Sequence, residues 1–183
     1  WGRVDFSAKS TNRIREATPR EIKLIVEGGN PVLITLAYTG MRIAELYSRD
    51  KEHLSKDLWL DIDNTSSWTL KHPSCKRRLP IPEWIGLELP TWMKSKLGDD
   101  LKKICPDLSC HGLRHSFKTA IREAQIPFDI GEFILGHSAP GGDIASRYGS
   151  FSDDAVKSSI EKVLLVIDGW IERMQTSVQG WHC

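Results

Sequence analysis

The apolar positions of this chain change period twice. Residues 17–29, "ATPREIKLIVEGG", follow a helical period between a start and a stop: Thr18 is an N-cap, Pro19 the first helical residue, Glu21 completes a capping box, and Gly28-Gly29 end the run. "NPVLITLAYTG" repeats the design, with Asn30 capping and Gly40 stopping, and "MRIAELYS" predicts a short third helix. The period then shortens. "DLWLDI", "SSWTLK" and "RRLPIP" are three short segments rich in β-formers, separated by turn residues. They predict a small three-stranded antiparallel sheet whose middle turn, "KHPSCKRR", is strongly basic, carrying Lys71, Lys76, Arg77 and Arg78.

Helical periodicity returns after Pro90. In residues 111–124 the positions Leu113, Phe117, Ala120, Ile121 and Ala124 form one buried stripe, while His111 and Arg114 share another face. "IPFDIGEFILGH" predicts a short helix ending at Gly136, and "SAPGGD" a loop. Residues 152–174 place apolar side chains at 156, 160, 163, 167, 170 and 174, a seam of alternating four and three steps. Such a seam fits docking on a neighbouring protomer and packing on its own domain equally well. The expected fold class is mainly α with a small antiparallel sheet, an α+β arrangement.

Composition narrows little. The 183 residues are 40% hydrophobic with a net charge of +1, which neither requires nor excludes a nucleic-acid partner. No apolar run of membrane-spanning length and no signal peptide is legible, so the expectation is a cytoplasmic protein. The chain opens on Trp1 without a methionine, the expectation for a piece of something longer. "CPDLSCHGLRH" brings Cys110 against His111, but zinc fingers separate their Cys and His pairs by about 12 residues. The paired aspartates at 61/63, 99/100 and 153/154 lie far from the His/Arg clusters, unlike the convergent carboxylates of a two-metal nuclease.

The polar clusters are individually ordinary. Arg42 with Glu45 is a common i,i+3 pair, His111-x-x-Arg114 is a weak motif, and Lys71 is a lysine beside a turn. Tyr38 and Tyr47 sit in apolar helical patterns, whereas Tyr148 lies in the polar "SRYGS". Their order is what matters. "TGMRIAEL", "TLKHPSCKRRLPIP", "HGLRHSFKTAI", "ILGHS" and "ASRYGS", spread over residues 18–150, resemble the catalytic domain of the tyrosine recombinases, the phage integrase family. Ten residues separate His137 from Tyr148, a longer interval than the family commonly has.

The resemblance implies a fold, a chemistry and a domain plan. Residues 1–17 would be an interdomain linker remnant with Arg3, Lys9, Arg13 and Arg15 following the DNA backbone, 18–150 the catalytic domain, and 151–183 a helical tail. Arg42 and Arg114 would grip the scissile phosphate, Tyr148 would attack phosphorus, and Lys71 (or Lys76, if the hairpin register slips) would protonate the leaving 5′-oxygen. His111 would be the general base, His137 would hydrogen-bond the phosphate, and Glu45 would orient Arg42; His115 would be structural. Lys76, Arg77 and Arg78 would touch DNA. The chemistry is coherent: guanidinium forks neutralise an anionic diester and stabilise its transition state, while a tyrosine with a reference pKa of about 10 needs help to lose its proton. No cofactor, metal or ATP is implied. The implied partners are double-stranded recombination sites, three further copies in a tetramer, and accessory DNA-bending proteins, with integration or excision of a phage or mobile element in a bacterial host as the setting. The alternatives are type IB topoisomerase-like DNA relaxation and a catalytically inert DNA-binding relative.

Overall fold

The computed structural model describes residues 14–49, 51–85, 94–137 and 151–179. Among these, α1 (Pro19–Glu27), α2 (Pro31–Thr39) and α3 (Ile43–Tyr47) precede a hairpin of β1 (Trp59–Ile62) and β2 (Arg77–Pro80). Then come α4 (Lys94–Ile104), α5 (Cys110–Glu123), α6 (Phe128–Leu135) and α7 (Asp153–Gln179). The local signals account for the first two helices. The Thr18 hydroxyl and the Glu21 carboxylate form the capping box of α1, and Asn30 Oδ1 accepts the Val32 and Leu33 amides at the start of α2.

Helix α2 is the centre of the core. Every residue from Val32 to Thr39 is buried, so it must be covered on all sides. Helix α5 covers one side with Leu113, Phe117, Ala120 and Ile121, all buried as its stripe predicts. Helix α7 crosses α5, α1, α2, α6 and β2. Its seam residues Val156, Ile160, Val163, Ile167 and Trp170 are all buried in the domain's own core. Trp170 Nε1 donates to Glu123 of α5 at 2.8 Å, and the Tyr38 hydroxyl lies 3.0 Å from Asp168 Oδ1. The seam over 156–170 is therefore intramolecular rather than a surface kept for a neighbouring protomer, and the helix is part of the same core as α1–α6.

The sheet has two strands, not three. Trp59 pairs with Pro80 and Ile62 with Arg77, antiparallel. The segment 66–71 stays out of the ladder. Asn64 Oδ1 accepts the Leu70 amide at 2.8 Å, closing a loop, and the Trp68 ring is drawn beneath the Arg49 guanidinium, 5.2 Å from its centroid. A cation–π contact and an Asn-closed loop replace the strand that the β-forming residues suggested.

Gly40 shows how tightly this core constrains the chain. It takes φ +61°, and a Cβ there would run into the Phe117 ring. Gly40→Ala is expected to lower stability by about 2 kcal/mol or more, from left-handed strain plus overpacking. Urea denaturation checks this, and an unchanged midpoint would contradict the packing described.

Candidate functional site

The site forms where the α2–α3 turn, β2, α5 and the end of α6 meet. Glu45, 1% exposed, is its keystone. Its carboxylate accepts from the Arg42 backbone N–H and from Arg42 Nη1, both at 2.8 Å. From the other side it accepts Arg77 Nη1 at 3.2 Å and Nη2 at 3.0 Å. Burial alone would push the Glu45 carboxyl up, but the Arg77 charge and hydrogen bonds, with Arg42, hold it at about 2.

The arginines are fixed further by carbonyls at helix ends. Both Arg42 Nη atoms donate to Gly136 O at 3.1 Å, and Arg114 Nη1 donates to Gly40 O at 2.7 Å. Arg114 Nη2 donates to Leu135 O. Gly40 and Gly136 are the left-handed C-caps of α2 and α6, so the residues that stop two helices also turn carbonyls toward the arginines. At Gly136 a Cβ would collide with the Arg77 guanidinium. Among the described residues no buried side-chain nitrogen or oxygen lacks a hydrogen-bond partner.

Three arginines thus crowd around one fully enclosed carboxylate. Arg114 is 5% exposed and is bonded to carbonyls rather than to a carboxylate of its own. Burial, and then the nearby Arg42 charge, push its guanidinium below the ordinary value. A guanidinium does not give up its proton under physiological conditions, so the unrelieved repulsion becomes an attraction for an anion. His111, in the first turn of α5, is exposed on one side and faces the same cations on the other: its partial burial, then His115, Arg114 and Arg42 lower its pKa. It is therefore neutral at pH 7 and can accept a proton. His137 follows Gly136, with Nδ1 2.8 Å from Glu132 Oε2. Arg42, Arg114, His111 and His137 are brought together.

Of the three basic hairpin residues expected to touch DNA, Arg77 is turned inward. Arg77 has a fully buried side chain, Nε donating to Ile134 O at 2.9 Å, so it holds Glu45 and α6 in place and cannot reach DNA. Strand alternation carried this signal: Arg77 shares a face with buried Leu79, and Arg78 points the other way. Arg78 bridges Asp61 at 2.9 Å and Asp153 at 3.1 Å, tying the sheet to the start of α7. Lys76 is paired with Asp63 across the hairpin end. Lys71 is exposed, in the loop before a short 3-10 turn (Pro73–Cys75) and not at a strand end. Tyr148 and most of the 1–17 segment lie outside the described residues.

Several contributors escaped the sequence reading. Arg49 is 4% exposed and donates to Glu45 O at 3.2 Å and Asp63 O at 2.6 Å, bracing α3 against β1. The Cys75 thiol donates to Gly136 O at 3.2 Å, the carbonyl that also holds Arg42. Among the described residues no group of three or more His, Cys, Asp or Glu side chains could hold a metal, and no helix is long and apolar enough to cross a membrane.

No family model matches the chain, and no curated protein matches it by sequence. Its fold does match solved structures. An integrase from mycobacterium phage Brujita superposes with a TM-score of 0.61 at 17% identity over 81% of this chain. This chain spans 57% of that integrase's length. The Tn1549 transposon integrase, solved with a circular intermediate DNA, gives 0.56 at 16% identity, covering 89% of this chain and 70% of the other. The same integrase with transposon right-end DNA gives 0.51 at 17%, covering 80% and 65%. The chain has the fold of integrase catalytic domains.

Because the folded Glu45 pKa lies below its ordinary 4.5, its stabilisation is complete above that value and is lost as pH falls toward 2. Glu45→Gln leaves buried Arg77 unneutralised and is expected to cost about 3–5 kcal/mol at neutral pH. Denaturation across the acid range should show the gap between wild type and variant closing below pH 4.5. A gap independent of pH would contradict the ion-pair account.

Proposed function

We propose that this chain is the catalytic domain of a site-specific DNA recombinase that cleaves and rejoins strands through a 3′-phosphotyrosyl link to Tyr148. The observation that carries the reading is the surplus of fixed positive charge on Arg42 and Arg114 beside two histidines, on a fold shared with integrases. A phosphodiester presents non-bridging oxygens that share one negative charge, and its transition state gathers more; both are what two immobilised guanidiniums stabilise.

The roles are those that the resemblance to the tyrosine recombinases implies. Arg42 and Arg114 hold the non-bridging oxygens. Tyr148 Oη attacks phosphorus while the bond to the 5′-oxygen breaks; neutral His111 takes the phenolic proton and Lys71 protonates the leaving oxygen. Lys71 is preferred over Lys76 because Lys76 already faces Asp63. His137 hydrogen-bonds the phosphate. The described residues on either side of Tyr148 both lie against α6: His137 follows its C-cap, and the Phe151 ring packs on Phe133 at 5.3 Å. Bond energy is conserved in the ester, and neither ATP nor a divalent metal takes part. Double-stranded recombination sites, a tetramer of this chain and accessory DNA-bending proteins are the partners this chemistry calls for. The setting is movement of a phage or mobile element inside a bacterial cell.

Duplexes nicked within a randomised segment, incubated with the protein in EDTA, should yield a detergent-stable covalent adduct. Tyr148→Phe is expected to abolish it, while Tyr38→Phe and Tyr47→Phe leave it. Arg114→Ala should slow it by about 100-fold or more, the scale of losing a transition-state donor. An adduct that survives Tyr148→Phe, or that requires Mg²⁺, overturns the proposal.

A further inference from the structure

Glu132 lies on α6, five residues before His137, and both of its carboxylate oxygens are engaged. Oε2 meets His137 Nδ1 at 2.8 Å, and Oε1 meets Lys118 Nζ of α5 at 3.3 Å. The Glu132 side chain is only 16% exposed. Burial alone would push its carboxyl up, but His137 and Lys118 hold it below the ordinary carboxylate value, so it is ionised at neutral pH. An ionised carboxylate only accepts hydrogen bonds. The hydrogen in the short contact therefore sits on Nδ1, and Nε2 is the ring atom left for a ligand. In the neutral ring Nε2 is a lone pair, which a phosphate oxygen repels. To donate to phosphate, Nε2 must acquire a second proton.

We propose that Glu132 is a positioning residue that fixes His137 as the Nδ1–H tautomer and supplies the counter-charge that lets Nε2 take up a proton when a phosphodiester binds. The proposal rests on the reading of the arginine pocket as a phosphodiester site. The proton comes from solvent and returns to it when the phosphate leaves. The groups facing the pair are Lys118 and Arg114 from α5, with Arg77 of β2 and Arg42 behind Gly136. In the free protein burial lowers the His137 pKa, the Glu132 bond raises it, and Arg114 and Lys118 lower it again, leaving it below 6.5. An anion seated between Arg42 and Arg114 cancels the cationic contribution, and Glu132 then favours the imidazolium. Lys118 contributes through the same geometry. It keeps Glu132 ionised and its second oxygen occupied, so that the carboxylate turns toward His137.

The test is nitrogen-15 NMR of histidine-labelled full chain, with dimethyl phosphate as the diester probe. Wild-type His137 should be the Nδ1–H tautomer, and its titration midpoint should rise by about one pH unit or more with saturating dimethyl phosphate. Glu132→Gln keeps an acceptor for Nδ1–H but loses the charge, so the tautomer should persist while the midpoint of the complex falls by about one pH unit. Glu132→Ala should lose the tautomer preference. A side chain that merely packed would move neither signal. An Nε2–H tautomer in wild type, or a midpoint identical in wild type and Glu132→Gln, overturns the proposal. If dimethyl phosphate shifts no histidine while the tautomer still follows Glu132, the positioning stands. In that case the phosphodiester reading of the pocket, and proton uptake with it, is what fails.

Discussion

The burial of one carboxylate organises this structure. Glu45 is enclosed between Arg42 and Arg77, and an unpaired charge in that position would be severely destabilising. The pairing therefore forces three separate pieces of chain to meet: the α2–α3 turn that carries Arg42, the strand that carries Arg77, and the end of α6 whose carbonyls accept from both arginines. The site cannot form until these elements are docked, and once docked it has little freedom to vary. Arg77 is the cation that neutralises Glu45. Arg42 is shared, and Arg114 is held by carbonyls alone, so positive charge remains for a ligand.

Rigidity and reactivity are divided among different residues. The arginines are clamped from behind by Glu45, Gly40 O and Gly136 O, which fixes where an anion would sit. The histidines are tuned rather than clamped. His111 keeps a lowered pKa, and the His115 ring packs edge-on against it at 4.9 Å. His137 is balanced between a carboxylate on one side and cations on the other. In the proposed reaction the clamped arginines would take the charge that accumulates at phosphorus, and the histidines would serve the proton movements on either side of it.

Much of this was legible in the sequence because it is local. Thr18-Pro19-Glu21, Asn30-Pro31, Gly40 and Gly136 announce helix ends through interactions within a few residues. The α5 stripe separates the buried Leu113 face from the His111/Arg114 face by period alone. What was not legible depends on distant partners. A run of basic residues does not reveal that Arg77 points inward to Glu45, although the alternation with Leu79 hinted at it. Trp68 has strand-like neighbours, yet Arg49 draws it elsewhere. The α7 seam identified which face is buried and not what buries it; Trp170 with Glu123 and Tyr38 with Asp168 show that the partner is the domain itself. Glu132 carried no signal beyond its place one helical turn and a cap before His137.

In the proposed site Arg42 and Arg114 together hold a single oxyanion, and anomalous diffraction tests this directly. Crystals soaked in selenate should show one dominant selenium peak between the two guanidiniums, within hydrogen-bond reach of His137 Nε2. A pocket left without a peak, with selenate bound instead along Lys71–Arg78, would contradict the account.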